Sequence, residues 1–474
     1  MYIVSKSMKV HNIIAGTREK SSSYYEVKSP YDGQAIGSAP KTSTEEVRKA
    51  ITQLKLPPMP AWMRADLLES IAIELEKNKG AFASILVAEV AKPYGLAIKE
   101  VDACILRLRY AAAEARLLGE SAYVSGNCSP DKQGKEAIVI KEPVGVVSII
   151  TPFNYPMFLA VAKMAPALAA GNAVVVKSSS LSPLSTLKIA ELFAKYFDGS
   201  ISAVNPLAND GKMLLSSHKS ISFVSFTGST EVGQKISQLA GGKKLLLELG
   251  GKGTAFVMED ANIEKAAKEI VKGALTFSGQ RCDAIAKVVV QPSRYEELVE
   301  KLLREMREYK LGDPAEPMTK VSSLINEEAV KRVHNLVQDA LEKGAKLAVG
   351  GMFQHNTYHP TLLTEVNESM DITKKEVFGP VISIQVAETE EEMVGIARGS
   401  GYGLDSAIFT EDLRKAIALA RKLPDGSVTI NGHPSHGIGY FSYGGNGLSG
   451  LGREGIKRTF EEMLKTKTII LEGP

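Results

Sequence analysis

Through the middle of the chain, short apolar runs rich in β-branched residues alternate with longer amphipathic segments, an order that a chain satisfies by packing helices on a parallel sheet. Val144–Ile150, Ala173–Val176, Ile201–Val204 and Phe223–Phe226 read as buried strands, with Leu159–Ala170 and Pro183–Tyr196 as helices crossing between them. The pattern restarts after Gly250-Gly251, with strands at Thr254–Val257, Lys287–Val290 and Val381–Val386 and helices at Ile263–Phe277 and Tyr295–Glu308. Two open parallel-sheet units in tandem are the simplest account. The length of 474 residues agrees, since single cores stop growing at about 250–300 residues.

Before the first unit lies a helical stretch, Arg64–Lys79 and Lys99–Leu118, that Pro57-Pro58-Met59-Pro60 separates from anything earlier. Ala122–Val124 and Ala137–Lys141 flank the polar, turn-rich Ser125–Glu136, which suggests a projecting hairpin. Lys465–Leu471 has strand composition and would form an edge that needs covering, for instance by another subunit.

Lys+Arg 57 against Asp+Glu 54 leaves a net charge of only +3 without blocks of like charge, so neither nucleic acid nor a membrane surface is indicated, and a small molecule is the expected partner. No apolar stretch reaches the roughly 20 residues of a membrane span. The basic start leads into His11, Asn12, Arg18 and Glu19 with no apolar core of a secretory leader. Three widely spaced cysteines, Cys104, Cys128 and Cys282, suit neither a disulfide framework nor a metal site. A cytoplasmic protein without a metal is the expectation.

Four local features carry chemistry. Cys282 follows a helix in Phe277-Ser-Gly-Gln-Arg-Cys282, with Arg281 to favour a thiolate, although, taken alone, a cysteine is more readily a core residue, the reading kept for Cys104 and Cys128. Glu248 sits in an apolar run, Leu245–Leu249, where desolvation would raise it toward the range of a general base unless Lys243 or Lys252 pairs with it. Phe226-Thr-Gly-Ser229 joins a strand to a helix, a place where N–H groups can hold a pyrophosphate or where a serine merely caps the helix. Asn154 and Lys177 lie just beyond strand ends, where open α/β sheets bind ligands, and either could instead be a turn or surface residue.

Taken together, Pro152-Phe-Asn-Tyr-Pro156, Val176-Lys177, Phe226-Thr-Gly-Ser229, Leu247-Glu-Leu-Gly-Gly251, Gly279-Gln-Arg-Cys282, Glu376-Val-Phe-Gly-Pro380 and Ser449-Gly-Leu-Gly-Arg-Glu-Gly455 resemble, in order, the motifs of the aldehyde dehydrogenase superfamily. The resemblance implies that fold: an NAD(P)-binding domain from 1–121 and 142–250, a catalytic domain from 251–430, and a small β oligomerisation arm with a C-terminal segment from 122–141 and 431–474, in a dimer or tetramer. It implies Cys282 as nucleophile, Asn154 as oxyanion donor with the Cys282 N–H, and Glu248 as base for thioester hydrolysis. Thr151, Pro152, Lys177, Ser180, Gly228, Ser229, Glu376 and Phe378 would bind the cofactor. Glu248 speaks against coenzyme-A-acylating relatives, which lack the base, and the retained set speaks against a non-catalytic relative.

NAD-preferring members carry a glutamate three residues after the lysine, whereas Lys177-Ser-Ser-Ser180 places a serine there. A serine does not repel a 2′-phosphate, so NADP is expected, with NAD as the alternative. The segments Asn431–Gly445 and Arg109-Tyr-Ala-Ala112 resemble archaeal non-phosphorylating glyceraldehyde-3-phosphate dehydrogenases. That implies irreversible oxidation of glyceraldehyde 3-phosphate to 3-phosphoglycerate, with Arg109, Arg281, Tyr155, His433 and His436 as candidate substrate contacts. Lactaldehyde, glyceraldehyde and succinate semialdehyde are the unphosphorylated alternatives.

Overall fold

The computed structural model describes residues 8–118, 122–128, 130–435 and 439–472. Among these residues two large sheets form. The first runs in the order Thr17–Glu19, Asn12–Ile14, Ile201–Val204, Ala173–Lys177, Val146–Ile150, Ile221–Thr227, Lys244–Glu248, Gly450–Leu451. Its five central strands are parallel and its outer pairings antiparallel. Val174, Val175 and Val176 are fully buried, as continuous apolar strands covered on both faces must be.

From Val146–Ile150 the chain steps outward to Ile201–Val204, then returns to lay Ile221–Thr227 on the other side of the starting strand. The strand order therefore reverses between Val146–Ile150 and Ile221–Thr227, which opens a crevice at their C-terminal ends. The second sheet has the order Lys346–Val349, Thr361–Thr364, Val381–Val386, Ile285–Val290, Gly253–Val257, Asp405–Phe409, Ser427–Ile430, parallel apart from its first strand. Only Leu249–Lys252 separate the last parallel strand of the first sheet from the first-formed strand of the second. So short a link turns the C-terminal edge of one sheet toward the N-terminal edge of the other. A third, antiparallel sheet joins Ala122–Ser125, Glu136–Pro143 and Leu464–Leu471, the last two paired over their full length. Tyr123 and Ile470 on it are exposed.

The two α/β units and the hairpin agree with the sequence reading. Several elements differ from it. A separate helix, Lys79–Val90, follows Ala61–Lys77; its consecutive Phe82–Val87 are all buried, so it has no amphipathic stripe to betray it. The short strands Asn12–Ile14 and Thr17–Glu19 join the first sheet. Helix Ile263–Leu275 stops before Phe277, for a reason that matters at the site. No described helix is long and apolar enough to cross a membrane.

Helices Pro156–Ala169 and Pro183–Ala194 begin with proline and have no side-chain cap at their own first residues. Buried carboxylates from the preceding helices serve instead. Glu100, on helix Tyr94–Leu117, accepts from the Met157 and Phe158 N–H groups at 3.2 Å each. Glu89 accepts from Leu184 N–H and from Ser185 N–H at 3.0 Å. Burial pushes the Glu89 carboxyl up to about 7, against the pull of these donors. The folded chain then keeps a proton that the unfolded chain has lost, so this group's contribution to stability declines as pH rises from about 4.5 to about 7. In urea titrations, the stability of the wild type relative to Glu89→Gln should fall by about 3 kcal/mol across that window; a pH-independent difference would contradict it.

Candidate active site

A cavity of about 1390 Å³ occupies the space between the facing sheet edges. Its walls come from the loops after Val146–Ile150, Ala173–Lys177 and Ile221–Thr227 of the first sheet and from the loops before Ile285–Val290 and Val381–Val386 of the second.

One wall carries Cys282, partly exposed, whereas Cys104 is fully buried in a helix and burial pushes its thiol well up. The loop that presents Cys282 leaves its helix through three consecutive left-handed residues, Phe277 (φ 53), Ser278 (φ 54) and Gly279 (φ 71). Two of them are not glycine, so the turn is strained and must be held by its surroundings. Phe277 is buried, the Ser278 hydroxyl donates to Ser322 O at 2.8 Å and accepts from Ser322 N–H at 3.0 Å, and the Gln280 Oε1 accepts from Ile325 N–H at 2.9 Å. A Cβ on Gly279 would lie 2.2 Å from the Gly379 carbonyl oxygen, so the two loops touch backbone to backbone there.

Asn154 faces this loop. Its Nδ2 donates to the Gln280 carbonyl at 2.9 Å and its Oδ1 accepts from Tyr155 N–H at 3.1 Å. An amide nitrogen has two hydrogens, and this bond uses one. Glu248 ends strand Lys244–Glu248, is 1% exposed, and accepts from the Thr227 hydroxyl at 3.2 Å; it lies outside the set of cavity-lining side chains, although its neighbours Thr227 and Leu249 belong to it. The two candidate lysines are bound elsewhere. Lys243 is bound to the Ser217 and Ala240 carbonyls, and Lys252 to that of Lys375.

Thr151, Pro152, Lys177, Ser180, Gly228, Ser229, Glu376 and Phe378 all line the cavity. Ser229 precedes helix Thr230–Ala240 but makes no cap bond, which leaves the first-turn N–H groups to a ligand. Lys177 bonds the Ser178 carbonyl at 2.8 Å and is lowered to about 8, first by burial and then by the nearby Lys212, a second lysine in the same wall. Glu376 accepts from Gly251 N–H at 3.1 Å, with its carboxyl raised by burial. Phe378 adopts φ 50 and meets Phe153 edge to face.

At the other end the cations are arranged differently from the sequence reading. Arg109 is not in the cavity: it points outward from helix Tyr94–Leu117 and pairs with Glu76 at 2.8 Å on the surface. Arg107 takes its place, because two residues on a helix lie about 200° apart and residue 107 shares the inward face with Glu100, Cys104, Ala111 and Glu114. Arg107 is 7% exposed, lies over the Phe158 ring, and among the described residues has no carboxylate in ion-pair contact. Arg281 lines the cavity too, but Asp283 grips it through two bonds, 2.9 and 2.7 Å, and Pro434 O takes a third. Tyr155 and His433 line the wall, with His433 Nδ1 at 2.5 Å from Glu269 and the imidazole pushed down by burial. His436 lies outside the described residues.

The aldehyde dehydrogenase family profile matches residues 17–469. The chain belongs to the aldehyde dehydrogenase family. It is similar to a lactaldehyde dehydrogenase of Methanococcus aeolicus, 35% identical over 460 residues, 94% of this chain and 97% of that one. It is equally similar to an NADP-dependent glyceraldehyde-3-phosphate dehydrogenase of Streptococcus equinus, 35% identical over 97% of this chain and 98% of the other. Among solved structures, an NADP-dependent glyceraldehyde-3-phosphate dehydrogenase of Bacillus halodurans complexed with NADP superposes with a TM-score of 0.96 at 35% identity, over 99% of this chain and all of that one. The resemblance of family and fold read from the motifs is thus confirmed.

In this aldehyde dehydrogenase, sequence reasoning missed Arg107 and Lys212. The first had a signal, a polar residue repeating at seven-residue spacing along the buried face of the long helix. Lys212, on the short helix Asn209–Ser217, had none. The Gly279 contact yields a direct test of the loop. Gly279→Ala should displace Cys282 and lower kcat by about 100-fold, with slower alkylation of Cys282 by iodoacetamide; unchanged kinetics would show that the loop tolerates the shift.

Proposed function

We propose that this enzyme oxidises glyceraldehyde 3-phosphate to 3-phosphoglycerate with NADP and without inorganic phosphate. The observation that carries the substrate is Arg107, a guanidinium buried in the cavity wall with no described carboxylate against it. Glu454 and Glu248 offset part of its burial at longer range without an ion-pair contact, and a ligand anion would add a close, bidentate partner. Arg281, neutralised by Asp283, adds less, and the Tyr155 hydroxyl is a neutral donor nearby.

The Cys282 thiolate adds to the aldehyde carbon, and the oxyanion that forms is held by the unused N–H of the Asn154 amide together with the Cys282 N–H. A nicotinamide cofactor, when bound, accepts the hydride that leaves this carbon. Lys177, Gly228 and Ser229 would hold its adenosine ribose and pyrophosphate, and Glu376 and Phe378 its nicotinamide half. Glu248 takes a proton from the water that hydrolyses the remaining thioester, which requires its carboxylate to turn from Thr227 toward Cys282. At the ribose, Lys177 and Lys212 together with Ser179 and Ser180 offer two cations and no carboxylate, a set that fits a 2′-phosphate. The first sheet with its helices is the cofactor domain, the second the catalytic domain, and the third sheet with its exposed Tyr123 and Ile470 the arm through which subunits associate.

Initial rates with NADP and NAD against glyceraldehyde 3-phosphate, glyceraldehyde, lactaldehyde and succinate semialdehyde test the assignment. The phosphorylated aldehyde with NADP should give the highest kcat/KM. Arg107→Ala should raise KM for that substrate by about 10- to 100-fold while Arg109→Ala leaves it unchanged. A flat profile would point to a small unphosphorylated hydroxyaldehyde. Ser180→Glu should lower kcat/KM for NADP about 10-fold or more and favour NAD.

A further inference from the structure

Behind the cavity lies a fully buried lysine that the chemistry above does not use. Lys92 stands in the corner between helices Lys79–Val90 and Tyr94–Leu117, just after Ala91 turns the chain through a left-handed φ of 51. Its ammonium has three hydrogens, and the surroundings engage it in three directions. It pairs with the Glu100 carboxylate, itself fully buried. It donates to the backbone carbonyl of Asn154 at 2.7 Å. It sits over the faces of Tyr155 and Phe277, 3.6 and 4.3 Å from the ring centroids.

These contacts converge on two loops. Asn154 and Tyr155 belong to the loop after Val146–Ile150, and Phe277 opens the strained turn that leads to Cys282. The Asn154 side chain is tied to the nucleophile loop through Gln280, but the direction in which that side chain leaves the backbone is set by its own peptide, and Lys92 holds the carbonyl of that peptide. Glu100 completes the unit: one oxygen binds Lys92 while the other takes the first N–H groups of helix Pro156–Ala169, which continues from the same loop. Capping the helix needs only the carboxylate. Burying an ammonium beside it is costly, as the downward push of burial on Lys92 against the pull of Glu100 indicates, and the additional contacts the ammonium makes are to the loops of the site.

We propose that Lys92 and Glu100 form a positioning pair that holds the Asn154 amide in register with the Cys282 loop during oxyanion formation. This rests on the reading of Asn154 as the oxyanion donor, and the test separates the two. Lys92→Met alone would leave Glu100 a buried unpaired charge, so the informative variant is the neutral Lys92→Met/Glu100→Gln, in which Met packs on the rings and the Gln oxygen still accepts from the helix. A cycle combines it with Asn154→Ala. Asn154→Ala should lose about 100-fold or more in kcat. The neutral pair should lose about 10-fold or more in kcat, with KM for NADP within about twofold, and should cost less than about twofold when Asn154 is already Ala.

Full activity of the folded neutral pair, or an equal loss in both backgrounds, overturns the positioning role. Full activity of Asn154→Ala by itself overturns the oxyanion reading instead. Lys92→Arg, which keeps the charges balanced but moves the donor away from the Asn154 carbonyl, goes through the same cycle and decides the matter if the neutral pair does not unfold cooperatively. A loss of kcat that vanishes in the Asn154→Ala background supports the proposal, and a folded Lys92→Arg with full kcat contradicts it.

Discussion

The crossover helices of the first sheet start at proline and lack caps of their own, so their exposed N–H groups must find acceptors inside the protein. Glu100 and Glu89, buried at the junction of the two preceding helices, supply those acceptors. Because both helices begin at the C-terminal ends of central strands, the same bonds that complete the helices also fix the loops around the cavity. Stability of the first unit and geometry of the site are therefore carried by one small group of buried charges. Substitutions there would be felt in both.

The second constraint is the short Leu249–Lys252 link, which sets two sheets edge to edge. Facing edges bring together helix N-termini and lysines on one side and a strained loop that carries a cysteine on the other. The strain is real, since Phe277 and Ser278 occupy a region that side chains rarely adopt. Buried packing of Phe277 and the paired hydrogen bonds between Ser278 and Ser322 hold it. Loops so held present Cys282 at the cavity while Cys104, in a relaxed helix, stays in the core.

The parallel sheets were legible because buried parallel strands are continuous apolar runs, as in Ala173–Val176, and because turn formers bracket them. The candidate site was legible only through the order of several motifs, since Glu248 had an equally good local explanation and Cys282 and Ser229 each had a better one. What stayed hidden has physical causes. Helix Lys79–Val90 buries six consecutive residues, Phe82–Val87, so no periodic stripe marks it, and the end of helix Ile263–Leu275 is dictated by contacts with Ser322 and Gly379, both far along the chain. The exchange of Arg109 for Arg107 is a matter of helical phase: composition places both on one helix, and only the register of the buried face tells which points inward. Asp283 as the partner of Arg281 shows the same limit, because a cation in a motif gives no sign of whether its charge is already answered.

The C-terminal part of the chain is built into its beginning. Gly450–Leu451 pairs with the edge of the first sheet, helix Ile456–Glu462 packs on helices Tyr94–Leu117 and Pro156–Ala169, and Glu454 reaches the buried Lys163. During synthesis on the ribosome, the first unit therefore emerges long before the segment that closes it. Until then strand Lys244–Glu248 has an open edge, and Lys163 lacks the carboxylate that answers its charge. The nascent chain must wait in a partly closed state for some two hundred residues of translation. The first unit is therefore completed only once the C-terminal segment has left the ribosome, after the whole second unit has been made.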